Sequence, residues 1–459
     1  MFRMANPGPY SVYESTTGIC NVCEQKIPAE ILLNHQSVYL RKTCPEHGSQ
    51  TELLEEDASY HLSKRNFDKP GTEFIPQKES LKGCPYDCGL CTAHEQHTCI
   101  GLLEITNRCN LNCPICYADS GKDEILSLET IDRILDFYVE AEHGEAEILQ
   151  ISGGEPTLHP DITEIIKLAM SKNIRYVMVN TNGLRIASDP EFVKQLGRFS
   201  SRFEIYLQFD GFRPSTYRHF CGRDVSKVKL KAIDKLLEYR IPITLVSTIE
   251  KGVNEDEIGQ IIEFGLNTNG IRGINFQPVA FFGRIRSGPA AERTTLSGII
   301  RQIESQLGHI FKPGDIIPLP CNVERVAITY LIKDSKGRFI ILPRKIEVEN
   351  YLPVIENTFA FDLDRFLDDQ WQNIRKEMKV CDCFKLVKDL QRVIPRNYVL
   401  KSEDEKKRYI DEHTFRLSIT SFVDKFNFDL RSMQKECVHV LTEDLRRIPF
   451  SAYNLVHRK

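Results

Sequence analysis

No run of about 18 apolar residues occurs in this 459-residue chain, so no segment reads as a membrane-spanning helix. The opening Met-Phe-Arg-Met-Ala-Asn-Pro-Gly has no apolar core of signal-peptide length, which leads to the expectation of a cytoplasmic protein. An excess of one charge is missing too. Lys and Arg number 60 against 64 Asp and Glu, well mixed, for a formal net charge of −4, and nothing in that balance calls for nucleic acid. There is no repeat at solenoid period and no low-complexity tail. What remains, 41% hydrophobic and 27% charged residues, is the make-up of a globular protein longer than one ordinary domain, expected as a main domain with smaller attachments.

Cysteine is abundant: 15 residues, ten of them before residue 117. Short Cys-x-x-Cys spacings without a secretory signal point to metal binding in a reducing compartment more than to disulfides. Cys20, Cys23, Cys44 and His47 form two knuckle-like pairs about a short hairpin, a tetrahedral site for zinc or a single iron. A closed four-ligand site of this kind holds a small segment folded, whereas a rubredoxin-like iron would relay electrons. Cys84, Cys88 and Cys91 with Cys99 make four thiolates for an auxiliary 4Fe–4S cluster; His94 and His97 are alternative ligands, and a second zinc site is the competing reading. Late in the chain, Cys321, Cys381, Cys383 and Cys437 offer a possible third cluster or simply buried thiols, and Cys221 reads as an isolated packed thiol.

A further triad, Cys109, Cys113 and Cys116, lies in Ile-Thr-Asn-Arg-Cys-Asn-Leu-Asn-Cys-Pro-Ile-Cys-Tyr, directly after an apolar run and one helix before Ser152-Gly153-Gly154-Glu155-Pro156. Three thiolates hold three irons of a 4Fe–4S cluster and leave the fourth open to a substrate or cofactor. Around this triad the periodicity changes every 30 residues or so. Strand-like runs at 101–106, 147–152, 175–180, 204–210, 242–249 and 272–278 alternate with amphipathic stretches such as 127–143, 160–172, 225–239 and 255–267. Six such β-then-α units imply a parallel sheet that curls, with its chemistry in the loops at the strand C-termini. The expected fold is therefore α/β, a partial (β/α)6 TIM-type barrel with an N-terminal metal module and a C-terminal α+β cap. The expected boundaries are 1–75 for a zinc-ribbon or rubredoxin-like module, 76–100 for the auxiliary cluster segment, 101–285 for the barrel and 286–459 for the cap, with a β-like pair near 325–333 and 338–342.

The cysteine loop followed by Gly-Gly-Glu-Pro resembles the radical S-adenosylmethionine (SAM) superfamily. That resemblance implies a SAM cluster on Cys109, Cys113 and Cys116, with the amino and carboxylate groups of SAM on the open iron. Gly153, Gly154 and Glu155 are then expected to receive the methionine ammonium, since glycine lets backbone approach closely. Polar residues at other strand ends face the same mouth: Asn180 and Asn182 are expected at SAM, and Gln208, Asp210 and Gln277 at the substrate or the SAM ribose, with Ser247, Thr248 and Asn275 nearby. The order of all three cysteine motifs, with Phe428-Asp429-Leu430, Cys437-Val438-His439 and Ile448-Pro449-Phe450-Ser451-Ala452-Tyr453-Asn454, is similar to one branch of the superfamily, which includes archaeal tetraether lipid synthase and 7,8-dihydro-6-hydroxymethylpterin methyltransferase. One departure stands out, because cysteine is expected where Ser451 stands.

The branch implies reductive cleavage of SAM to a 5′-deoxyadenosyl radical and carbon–carbon bond formation, either methylating a pterin-like or other small molecule or joining lipid alkyl chains. A low-potential donor such as flavodoxin or ferredoxin is the implied electron source. Two other readings compete: a radical SAM maturase acting on a peptide, and a non-catalytic iron–sulfur electron carrier. A carrier has no use for an amino-acid-binding strand end, and the N-terminal knuckle is a poor match for a peptide-docking module.

Overall fold

The computed structural model describes residues 10–118, 120–121, 123–199, 202–285, 293–333, 337–352, 357–359, 401–402, 405, 409–410 and 412–458. Its N-terminal part is a four-stranded antiparallel sheet, β1 (Ser11–Ile19), β2 (Lys26–Leu33), β3 (Val38–Cys44) and β4 (Gly48–Glu55), paired in that order. Strands β2 and β3 alternate in burial as period-2 patterning requires, and Ala29, Ile31, Val38, Leu40 and Leu54 form their small apolar core.

The expected alternation follows. Strands β5 (Ile100–Glu104), β6 (Ala146–Ser152), β7 (Ile174–Thr181), β8 (Phe203–Gln208), β9 (Ile243–Ile249) and β10 (Ile271–Pro278) pair in chain order, all parallel. Their continuous apolar runs are what a sheet covered on both faces demands, and β6 is buried at every position. Helices α2 (Leu128–Ala141), α3 (Ile162–Ser171), α7 (Ser226–Glu238) and α8 (Ile258–Asn267) lie in the connections between these strands. In α2, Ser127 accepts the N–H of Thr130 as N-cap, and Ile131, Ile134, Leu135 and Tyr138 recur three and four apart to form its buried stripe. The Tyr138 hydroxyl donates to Ile148 O and accepts from Gly101 N, which ties that helix to β5 and β6.

Strands of the C-terminal region add to both edges of this sheet. Strand β14 (Thr414–Thr420) adds parallel to β10, and β15 (Val438–Leu441) adds parallel to β5. Beyond them, β12 (Val326–Lys333) runs antiparallel to β14 and pairs with β11 (Ile317–Pro318) and β13 (Phe339–Ile341), while β16 (Arg447–Pro449) closes the other end against β15. Among the described residues the sheet thus has 12 strands and stays open. Residues from both wings, Val438 on one side and Arg416 and Ser418 on the other, line one cavity, so the sheet curls about it.

Candidate active site and metal centres

The loop carrying Cys109, Cys113 and Cys116 leaves the C-terminal end of β5 and is pinned from two directions. From β6, Gly154 N donates to Thr106 O at 2.8 Å and Glu155 N to Arg108 O at 2.8 Å. The glycines are needed because the chains meet here: a Cβ on Gly153 (φ +132°) would lie 2.2 Å from Thr106 O, and one on Gly154 2.4 Å from Arg108 O. Their freedom serves the loop first, before any approach of cofactor. From the segment after β10, Arg284 donates to Asn112 Oδ1 at 2.6 Å and Cys113 O at 2.9 Å, and also to Ser120 O.

All three thiols are half-buried and line a cavity of about 280 Å³. Gly153, Gly154, Glu155, Asn180, Asn182, Gln208 and Gln277 line it as well. Glu155, however, is only 1% exposed and its carboxylate is largely engaged. Oε1 accepts from the N–H and hydroxyl of Thr157 and the hydroxyl of Thr181, and Oε2 accepts the N–H of Asn182 at 2.7 Å. It ties the turn after β6 to the end of β7, while the residue lines the cavity.

Asn180 leaves one acceptor atom open. Its Nδ2 donates to Gln150 Oε1 at 3.3 Å, but Oδ1 is buried with no partner, the signature of a polar group waiting for a ligand. Asn182 is held by Asn110 Oδ1 at 2.7 Å and by the N–H of Leu184, which its Oδ1 accepts. Asp210 does not line the cavity; fully buried, it accepts Gln208 Nε2 at 2.9 Å and Thr248 N at 2.9 Å and so aims Gln208. Burial pushes its carboxyl up to about 6, against the pull of nearby Lys229. Gln277 shares the Tyr206 hydroxyl with Asn275.

Two participants escaped sequence reading. Lys229, on α7, is wholly buried and donates to Asn182 O at 2.7 Å, and desolvation lowers its ammonium pKa. Cys221 is not isolated. It packs with Leu111, Tyr217 and the thiols Cys109 and Cys113, and the hydrogen bond it shares with Cys113, with burial, pushes its own thiol up. No local motif marks either residue; only the spacing of α7 and of Pro214–Cys221 as helices would have placed them inward.

The ribbon site assembles as expected. Cys20, Cys23, Cys44 and His47 bring their ligand atoms within 4.8 Å of one another. Cys44 Sγ and Cys20 Sγ lie 3.4 and 3.6 Å from His47 Nδ1, and Cys23 Sγ lies 3.9 Å from Cys44 Sγ. Tetrahedral ligands at zinc distances stand roughly 3.5–3.8 Å apart, so this donor set fits one metal ion. Burial raises the Cys20 thiol, but N–H groups of Cys23 and Val22 and the Gln50 amide outweigh it and bring the value down to about 6.

Cys99 departs from the expected set. It joins Cys321 and Cys437, all three fully buried with sulfurs within 4.8 Å, and His97 Nε2 stands 3.5 Å from its Sγ. It lies one residue before β5, whereas Cys84 and Cys88, in the preceding loop, pack against Met433, Ile448 and Ala452. Cys381 and Cys383 lie outside the described residues. His94 Nε2 meets Glu436 O at 2.9 Å and His439 Nε2 at 3.2 Å.

Residues 103–265 match the radical SAM superfamily, and residues 12–56 match the HMPTM N-terminal zinc ribbon domain. The chain is 31% identical, over 97% of its length and 94% of the relative's, to the 7,8-dihydro-6-hydroxymethylpterin dimethyltransferase of Methanocaldococcus jannaschii. It is 30% identical to the GTP 3′,8-cyclase of Syntrophomonas wolfei over 43% of this chain and 62% of that one. Among solved structures, Streptococcus suis SuiB bound to the precursor peptide SuiA covers 47% of this chain and 47% of its own, at 17% identity and a TM-score of 0.41.

Proposed function

Because the chain belongs to the radical SAM superfamily, and within it to the family of the 7,8-dihydro-6-hydroxymethylpterin dimethyltransferase, we propose that it forms a carbon–carbon bond on a reduced pterin or a heterocycle with a similar hydrogen-bonding edge. Membership makes it an enzyme of the methyltransferase type that uses SAM and a 4Fe–4S cluster. When bound, these supply a 5′-deoxyadenosyl radical able to take hydrogen from an unactivated carbon.

The residues present fit that cofactor pair. Cys109, Cys113 and Cys116 would hold the cluster on a loop clamped from β6 and from Arg284, and Asn180 Oδ1 would accept from the SAM ammonium beside the Gly153–Gly154 backbone. Asn182, oriented by Asn110 and carried on a carbonyl that Lys229 holds, would bind SAM from the end of β7. The Cys20, Cys23, Cys44 and His47 set would hold zinc and keep the ribbon folded.

One observation carries the choice of substrate. Beyond the cysteine loop the cavity is lined by amides, Gln150, Gln208, Asn275 and Gln277, beside Thr248, Ser418, Thr420 and the guanidinium of Arg416. Amides held in place, such as Gln208 by Asp210 and Gln277 by Tyr206, would read the donor and acceptor edge of a heterocycle. Phe282, Phe422 and Phe450 at the apolar side would cover the ring face and keep water from the radical.

The test is anaerobic turnover of the reconstituted enzyme with SAM, dithionite, a dihydropterin and a folate one-carbon donor. 5′-Deoxyadenosine together with a pterin heavier by one or two methyl groups is expected. Formation of 5′-deoxyadenosine with the pterin unchanged, while a lipid extract or peptide is altered, would overturn the substrate.

A further inference from the structure

We propose that Arg416 is the specificity-determining residue of the cavity, its guanidinium donating in a fork to a carbonyl oxygen and the ring nitrogen beside it on the substrate. The inference rests on the reading of that substrate as a pterin or a like heterocycle, and it names the atoms by which the ring is chosen.

Strand β14 brings the arginine in. Phe415, Leu417 and Ile419 join the main apolar core, so the alternate residues Arg416, Ser418 and Thr420 turn to the other face and line the cavity. The registers put Arg416 opposite Gly273 of β10, Gly273 opposite Thr244 of β9, and Thr244 opposite Tyr206 of β8. One row thus runs across these strands, and Gly273 places no side chain between Arg416 and Thr244.

The charge is left open. Among the described residues lining the cavity, Arg416 is the one cation and Glu155 the one carboxylate. Glu155 already accepts from Thr157, Thr181 and Asn182. The Arg416 guanidinium makes a single long hydrogen bond, from Nη2 to Thr244 Oγ1 at 3.4 Å, and forms no ion pair among the described residues. Glu204, the carboxylate that acts on it, is committed elsewhere: Oε1 accepts the Thr244 hydroxyl and Oε2 the Tyr176 hydroxyl at 3.0 Å. Asn275 is taken up as well. Its Oδ1 accepts from Ser418 at 3.0 Å and Thr420 at 3.1 Å, and its Nδ2 donates to the Tyr206 hydroxyl at 2.5 Å. A guanidinium in a cavity wall with most of its N–H donors unspent is stabilised by a ligand that brings acceptors.

The fork fixes the kind of acceptor. Arginine bonds two acceptors lying side by side in one plane, as it does the carbonyl oxygen and ring nitrogen on the major-groove edge of guanine. A 7,8-dihydropterin carries the same pair on one edge, the O4 carbonyl and the imine nitrogen N5. Lysine, a point charge, has no such fork.

The test is anaerobic equilibrium dialysis of the reconstituted full chain against three ligands: 7,8-dihydro-6-hydroxymethylpterin, its 5-deaza analogue, in which C–H replaces N5, and SAM. The natural chain should bind the dihydropterin about tenfold or more tighter than the deaza analogue. In R416K and R416Q that preference should collapse through lost dihydropterin affinity, while SAM affinity stays at the natural value. Equal binding of the two pterins by the natural chain, or a preference kept in the variants, overturns the assignment. So does a matching loss of SAM affinity, which would give Arg416 to SAM. Should neither variant fold by circular dichroism, the comparison of the two pterins on the natural chain decides. A natural chain that binds neither pterin refutes the pterin reading and the contact with it, whereas dihydropterin binding without the preference refutes the contact alone.

Discussion

At Gly154 a methyl group would stand 2.4 Å from the Arg108 carbonyl, and no far end of a flexible side chain is there to yield. Gly154→Ala should therefore lift the cysteine loop from β6 at an overpacking cost of about 1–3 kcal/mol. Iron and zinc analysis of the reconstituted variant should find the SAM-site iron lost and the ribbon metal retained. Asn180 makes a separate test of the cavity. Its unpartnered Oδ1 is the strongest candidate to accept a charged ammonium, a bond worth about 1.5–3 kcal/mol, so Asn180→Ala should weaken SAM binding about tenfold or more by equilibrium dialysis. Normal SAM affinity in that variant would reassign Asn180 to the substrate. Lys229 belongs to the same scale: Lys229→Met leaves the buried Asn182 carbonyl without its donor and should lower stability by about 1–3 kcal/mol.

The ribbon shows what an element can and cannot do alone. Four strands over a core of a few aliphatic side chains bury too little surface to hold their own entropy in check, and a metal ion supplies the missing constraint. Removing the metal by chelation, or Cys44→Ala, should release the β1–β4 amides to rapid hydrogen exchange while β6–β8 stay protected; full protection of β1–β4 without metal would contradict this. Helix α2 stands at the other extreme. Its cap, stripe and Tyr138 tether all agree, so its bounds of 128–141 lie inside the 127–143 that periodicity alone predicts.

Across the whole molecule, the N-terminal module is fastened to the C-terminal region by buried charge. Lys64 Nζ meets Glu324 Oε2 at 2.5 Å, with Arg431 3.2 Å from Oε1 and Arg65 3.7 Å away, and Lys42 donates to the carbonyls of Lys425 and Phe426. Burial would raise the Glu324 carboxyl, but Lys64 and Arg65 overcome that and lower it from 4.5 to about 2. A carboxyl depressed in the folded state contributes fully above its unfolded value and loses that contribution as pH falls through the folded one. The window is thus pH 4.5 down to about 2, with a full contribution on the order of 3 kcal/mol. In urea denaturation the stability gap between the natural chain and Glu324→Gln should be widest near pH 6 and narrow steadily below pH 4.5. A gap independent of pH would remove Glu324 from the fastening. No described helix is long and apolar enough to cross a membrane, which agrees with the absence of long apolar runs.

The chemistry of the SAM loop, the ribbon's ligand set and the six parallel strands were legible in the linear sequence, because each rests on spacing within a few residues or on a period of two or 3.6. Helix or strand, and which side faces inward, are local decisions. The fate of Cys99 was not. It lies eight residues after Cys91, yet its sulfur meets Cys321 and Cys437, since the latter precedes β15 and that strand joins β5 across the whole chain. For the same reason the region after 286 could not be read as part of the barrel sheet: the pairing of β14 with β10 and of β15 with β5 depends on exposed edges that exist only once the six strands have assembled. Sequence alone determined the spacing of the cysteine motifs and the alternation of strands and helices around them. The tertiary structure decided which thiols share a site, because sheet edges closing on one another bring Cys99, Cys321 and Cys437 together across hundreds of residues, and it decided that Glu155 accepts from Thr157, Thr181 and Asn182 while Asn180 Oδ1 is left without a partner, because adjacent strand ends meet there.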